Sequence, residues 1–349
     1  MSRAGRDGAV SRRVPAATLG KRRGERTMSP AMDIDNATKV LEAHADYRVL
    51  RRLGIADAHV FAKNVGGEAC GRLAVIDTET TGLKAELGDR IIDLAIATCE
   101  YGRDTGRLYR VVDRYESLED PEAPIPPEIV RLTGITDEMV RGQRIDESGI
   151  ARVLDGVGLV ICHNARFDRA FLEARYPAFA GMHFACSLDE IPWDRWNMNS
   201  TKLDYIGFRF GLFHEGHRAR ADVDMLLALL ARTAPDGEEG LLSLLLASAR
   251  VPSWRVHAVG LPIDHKDHAS ARGYRWNDGK FGTPRAWWIE TRDEKSERSF
   301  LAGLGCRNPL VVRQTALERY RSLAARVEAA ADAGATRTRT GTGRGEPGA

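Results

Sequence analysis

The chain has 349 residues, of which 43% are hydrophobic and 29% charged, with a formal net charge of +2. That balance allows one sizeable globular domain with a smaller one beside it and excludes disorder throughout. No apolar run approaches the ~18 residues of a membrane-spanning helix, the stretch at 241–247 being far shorter. The five cysteines (Cys70, Cys99, Cys162, Cys186 and Cys306) are odd in number and form no C-x-x-C pair. They argue against a disulfide framework or structural zinc site and fit a soluble protein of the reducing cytoplasm.

Residues 1–33 read as a basic, disordered arm. Its first 27 residues hold eight Lys or Arg against two acids, so the rest of the chain carries a net negative charge. The arm is either a phosphate-collecting tail or unstructured sequence ahead of a later start, since Met28 and Met32 precede the first ordered pattern. Residues 34–69 form a helical extension, with near-helical apolar spacing predicting a helix over 37–53 that packs on the main domain. Buried strands follow at 73–77, 90–99 and 108–112, separated by glycine-containing turns. After the stiff loop Pro124-Ile-Pro-Pro, a helix starts at Glu128, and Thr136 is expected to cap the next one. A fourth strand at 158–162 leads into a helix through Phe167, Ala170, Phe171 and Leu172, and a long helix covers 221–232. This alternating α/β region spans 70–235.

Residues 236–333 read as a helical segment at 240–249, a compact unit at 256–290 with a turn at Asn277-Asp-Gly279, and a terminal helix at 314–333. Residues 334–349, rich in Gly, Thr and Arg, read as a disordered tail.

The chemistry begins at Asp77 and Glu79. Two apart at the end of an apolar strand, their side chains leave the same face and can reach one cation. A buried strand end is a costly place for two like charges unless a metal neutralises them. The alternative is that Asp77 merely caps the turn.

These residues lie within Val75-Ile-Asp-Thr-Glu-Thr-Thr-Gly-Leu83, which resembles the first motif of the DnaQ-like, or DEDDh, exonuclease family. His163-Asn-Ala-Arg-Phe-Asp168 resembles its second motif and His217-Arg-Ala-Arg-Ala-Asp222 its third, in family order. The segment 126–140 also looks like the stretch this family carries between its first two motifs. The resemblance covers about 70–232 and extends to the exonuclease domains of DNA polymerase III epsilon type.

It implies a ribonuclease-H-like mixed β-sheet flanked by helices, with a small α+β C-terminal module appended. It further implies that Asp77, Glu79, Asp168 and Asp222 hold two divalent cations, Mg²⁺ or Mn²⁺, and that His217, on the loop before the third-motif helix, is the general base. Hard oxygen ligands suit those ions. Thr80, Leu83, His163, Asn164 and Phe167 fall on the family's substrate side. Leu83 and Phe167 either contact the terminal nucleotide or belong to the core, and His163 could instead bond backbone. The implied reaction removes nucleoside 5′-monophosphates from the 3′ ends of single-stranded nucleic acid, DNA favoured, in repair or replication. An RNA-directed enzyme of the same family and a non-catalytic nucleic-acid-binding scaffold are the alternatives. Polymerase association stays open, with no evident clamp-binding motif, and no membrane partner is expected.

In the C-terminal part, 271–277 and 285–288 interleave cations with aromatics. The composition suits stacking on bases and contacting phosphates. Tyr274, Trp276, Trp287 and Trp288 could equally form the core of a small domain.

Overall fold

The computed structural model describes residues 30–279 and 284–321. Residues 1–29 of the expected arm and the tail at 334–349 therefore lie outside the described residues, whereas residues 30–33, expected to belong to the arm, are helical. The chain divides into two units at residue 50. In the first, α1 (Pro30–Glu42) carries Asp33 in its first turn and Lys39 in its last, the signs a helix dipole favours. The helix expected over 37–53 thus starts earlier and stops at Glu42, because Pro30 supplies a natural first turn and turns follow at 43–46.

The second unit opens with β1 (Arg51–Arg52), which pairs in parallel with β7 (Leu212–Phe213). Its nuclease-like part then runs β2 (Cys70–Thr80), β3 (Ile91–Gly102), β4 (Leu108–Leu118), α2 (Pro127–Thr133), α3 (Asp137–Val140), α4 (Glu147–Val153), β5 (Leu159–Cys162), α5 (Ala165–Arg175), β6 (Phe184–Cys186), α6 (Ser187–Glu190), α7 (Leu203–Arg209) and α8 (Ala219–Leu230). The sheet order is β4-β3-β2-β5-β6. The first three strands are antiparallel neighbours, whereas β5 and β6 run parallel to β2. This is the ribonuclease-H-like mixed sheet.

Strand alternation sorts the core into two layers. Leu73, Val75, Ala95 and Ala97 meet α8 on one face; Ala74, Ile76, Leu94 and Ile96 meet α4 and α5 on the other. A central sheet buried on both faces explains why β2 and β3 read as nearly unbroken apolar runs. β4 extends past residue 112 because its charged residues are accommodated there: Asp113 pairs with Arg152, Arg114 with Asp224 of α8 at 2.8 Å, and Glu116 stays exposed. The helix after Thr136 forms as expected, though the Thr136 hydroxyl makes no capping bond.

The core of the α8 layer continues into α9 (Leu241–Arg250) through Leu241, Leu242, Leu245 and Leu246. Apolar packing therefore continues past residue 235. A second, antiparallel sheet follows, made of β8 (Ser253–Ala258), β9 (Arg275–Asn277), β10 (Ala286–Thr291) and β11 (Leu310–Gln314) in the order β11-β8-β10-β9. Helices α10 (Lys266–Ala271) and α11 (Glu294–Gly303) accompany it, and Val256, Ala258, Ala269, Tyr274 and Leu301 form its core. Gly279, at the expected turn, has a φ of +84°.

The terminal helix expected at 314–333 does not begin as read. Gln314 ends a strand and residues 316–320 are turns, while 322–333 lie outside the described residues. The turn residues return to the first sheet. The Phe184 N–H donates to the Ala316 carbonyl at 2.8 Å. Arg169, fully buried on α5, donates to the carbonyls of Arg319 (2.7 Å) and Leu317 (2.8 Å), pairs with Glu173 at 2.8 Å and lies over the Phe184 ring. Buried Glu190 accepts from Arg319 and from the Tyr320 hydroxyl, both at 2.8 Å. These charge-assisted bonds, rather than apolar contact alone, fasten the small module.

Candidate active site

The strand period that puts Leu73 and Val75 against α8 carries on to Asp77 and Glu79. Both carboxylates therefore point toward the helix whose first turn holds Asp222. Oxygens of Asp77, Glu79 and Asp222 lie within 4.8 Å of one another. Asp168 comes from α5, on the opposite face, and is 2% exposed. Its Oδ1 accepts from the Thr78 N–H (3.1 Å) and hydroxyl (2.8 Å), locking it beside the end of β2. The β2–β3 register shifts between Glu79 and Thr80, so the ladder breaks where the carboxylates gather.

Burial and mutual repulsion raise the protonation ranges of Asp77, Glu79 and Asp168. Asp77 is pushed well above the usual carboxylate range, first by loss of water and then by Asp168, Asp222 and Glu79. Glu79 is pushed up to about 8 by burial, then by Asp222 and Asp93. Asp168 rises to about 7, again by burial, against the lowering effect of its Thr78 bonds. Several oxygens so close together, those of Asp77, Glu79 and Asp168 disfavouring ionisation, form a donor set that a hard divalent cation would stabilise.

The third motif reaches the site through a strained turn. His217 is exposed and adopts a φ of +65°, and its backbone N–H donates to Asp222 Oδ2 at 2.9 Å. Non-glycine residues seldom hold this conformation unless their surroundings impose it. Arg218, next in the chain, supplies one constraint by donating to Asp93 Oδ2 at 3.0 Å. Asp93 is 1% exposed and sits opposite Glu79 on β3.

The other oxygen of Asp222 is also held. The His214 ring, its side chain 4% exposed, places Nε2 2.7 Å from Asp222 Oδ1 and Nδ1 3.5 Å from Asp204. The sequence reading assigns no role to His214, Asp93 or Arg218. The FHEGH run, with two histidines just ahead of an acidic helix turn, is the only signal in the sequence that could have drawn attention to His214.

The substrate-side candidates separate. Leu83 is 79% exposed and so is not core. Asn164, exposed with a φ of +82°, precedes α5 in a left-handed conformation that asparagine tolerates. Thr80 is buried, its hydroxyl turned to the Gly82 carbonyl. Phe167 is half-buried and packs on Phe171, with ring centroids 5.0 Å apart. His163 bonds Ser187 Oγ and the Thr201 carbonyl, both at 2.8 Å, and burial lowers its protonation range.

A mixed sheet of this order, with converging carboxylates at one end of its central strand, defines a nuclease-type hydrolase. The exonuclease family model RNase_T matches residues 74–230. The DNA polymerase III subunit epsilon of Treponema pallidum is 32% identical over 163 residues, which span 44% of this chain and 72% of that protein. The chain belongs to the DnaQ-like exonuclease family. The PolC-type DNA polymerase III of Halalkalibacterium halodurans is 36% identical over 173 residues, 47% of this chain but 11% of that one, so the match spans about a tenth of this larger relative. A solved exonuclease I shares 18% identity at a TM-score of 0.41, covering 54% of this chain and 49% of that one.

Proposed function

We propose that this chain is a 3′-to-5′ exonuclease that hydrolyses single-stranded DNA from its 3′ end and releases nucleoside 5′-monophosphates. The observation carrying this reading is the convergence of Asp77, Glu79 and Asp222 beside Asp168 and the exposed His217. Asp77, Glu79, Asp168 and Asp222 would hold two divalent cations, Mg²⁺ or Mn²⁺. When bound, these supply charge stabilisation at the reacting phosphate and acidify water.

The remaining work belongs to the chain's own side chains. His217 engages no side-chain hydrogen bond among the described residues, so its imidazole is free to take a proton from the attacking water. His214 and the His217 N–H keep the two oxygens of Asp222 from rotating. Leu83 offers an apolar surface to a terminal base, with Asn164 at the mouth of the site. Phe167 acts from beneath through packing, and Thr80 by shaping the turn. His163 steadies the loop at the carboxyl end of β5.

DNA is favoured because the relatives are named as DNA polymerase III proteins. The same names support association with a replicative polymerase. The five cysteines, none paired, suit the cytoplasm, and among the described residues no helix is long and apolar enough to cross a membrane.

The test is degradation of 5′-labelled single-stranded DNA and matched RNA with Mg²⁺, Mn²⁺ or chelator, for wild type, Asp77→Ala and His217→Ala. The expected result is a ladder shortening from the 3′ end of DNA, abolished by chelator and by both substitutions. Intact DNA and RNA that still bind the protein would replace this reading with a scaffold role. Selective loss of RNA would replace the substrate.

A further inference from the structure

A cavity of about 330 Å³ opens between α5 and the module sheet, lined by Arg166, Asp189, Arg275, Trp288 and Glu290 among others. Arg166 lies two residues before Asp168, about 200° around the helix axis, so this cavity and the candidate active site flank the same helix. Both stand past the carboxyl ends of the parallel strands β5 and β6. The His163–Ser187 bond spans the gap between them.

Most charges around the cavity are matched. Glu290 takes Arg166 and Arg255, and Glu190 takes Arg319. Arg275 is different, being exposed and lying 5.7 Å from the Trp288 ring centroid, with no carboxylate partner among the described residues. Its neighbour Trp276 is 51% exposed on the other face of the edge strand β9. Arg285 lies 5.9 Å from the centre of that ring and likewise has no carboxylate partner among the described residues. The module's aromatics have thus divided, with Tyr274 in the core and Trp276 at the surface.

We propose that this edge of the module binds the single strand of nucleic acid upstream of the nucleotide held in the candidate active site. Arg275 and Arg285 contact its phosphates and Trp276 stacks on a base. The inference rests on the exonuclease reading above for the identity of the strand. Its physical ground is separate: two cations with no carboxylate partner among the described residues and an exposed indole, at the edge strand of the module sheet that meets the cavity beside α5. An acidic peptide would satisfy the cations without needing the ring.

The test uses the full chain and an Arg275→Glu/Arg285→Glu double variant, with Trp276→Ala as a second variant. Turnover is compared on a 20-nucleotide single strand and on the p-nitrophenyl ester of thymidine 5′-monophosphate, which is too small to reach the module. Binding of a fluorescent single strand is followed by anisotropy in Ca²⁺ over a salt series. The expected result is about tenfold weaker strand binding in both variants. The double variant should also show a shallower salt slope, by about one unit for each phosphate that the variant no longer neutralises, with the ester unaffected. Unchanged strand binding and turnover, equal losses on strand and ester, or weakening in the double variant with Trp276→Ala unchanged would overturn it. If wild-type protein cleaves neither substrate, the exonuclease reading fails, and the anisotropy arm still decides whether this edge binds a strand.

Discussion

Replacing Glu79 by glutamine removes one charge from a cluster that, without cations, works against its own fold. In the folded chain Glu79 keeps its proton up to about pH 8, against an ordinary value of 4.5. Between those values the folded form binds a proton that the unfolded form has released, so stability falls as pH rises. The slope is at most ~1.4 kcal/mol per pH unit, which over the roughly three and a half units from 4.5 to about 8 gives an upper bound of ~5 kcal/mol. Glu79 keeps some contact with water, so ~2–3 kcal/mol is the expected contribution. Urea unfolding in chelator should therefore show wild type losing stability from pH 5 to pH 8. Glu79→Gln should lose less and be the more stable protein at pH 8. Added Mg²⁺ should reverse the ranking, because only wild type keeps the full donor set. A wild-type stability that is flat or rising across this range, or a glutamine variant no more stable at pH 8, would refute the account of the cluster.

His217→Ala should lower kcat by ~10²–10⁴ while Mn²⁺ binding measured by calorimetry is unchanged. His214→Ala should instead weaken metal binding by ~10–100-fold in the same calorimeter, with its circular dichroism spectrum retained. Arg169→Met should cost ~3–5 kcal/mol in urea unfolding, since it leaves the Glu173 carboxylate with only the longer Arg321 contact at 3.3 Å and frees the carbonyls of Arg319 and Leu317; a drop below ~1 kcal/mol would mean that the module does not depend on this anchor.

The main sheet was legible because its central strands carry apolar runs that only a two-sided burial explains, and Asp77 and Glu79 stand out at the end of one of them. Asp168, Asp222 and His217 were legible through motif resemblance, not through any local physical signal. The strand Phe184–Cys186 escaped because three residues show no period, and Leu310–Gln314 because its partner lies more than fifty residues away. His214, Asp93 and Arg218 acquire meaning only when α8 is laid against β2 and β3. Spacing along the chain could not reveal that a buried aspartate on β3 restrains the turn bearing His217. The aromatic run at 271–288 was ambiguous for another reason: Arg275 and Trp276 fall on opposite faces of the edge strand β9, as Trp287 and Trp288 do on β10, and composition does not record which face is covered.

The turn after β11 bears on how this protein can be dissected. A fragment ending near residue 235, or even after α9, would remove the carbonyls that receive Arg169, the acceptor for the Phe184 N–H and the cation and hydroxyl that satisfy Glu190. The severed piece would present β6 as a bare strand edge beside the buried carboxylate of Glu190, stripped of its Arg319 cation, a combination that invites aggregation. Inactivity of such a fragment would then report a damaged nuclease core and say nothing about what the module contributes to catalysis.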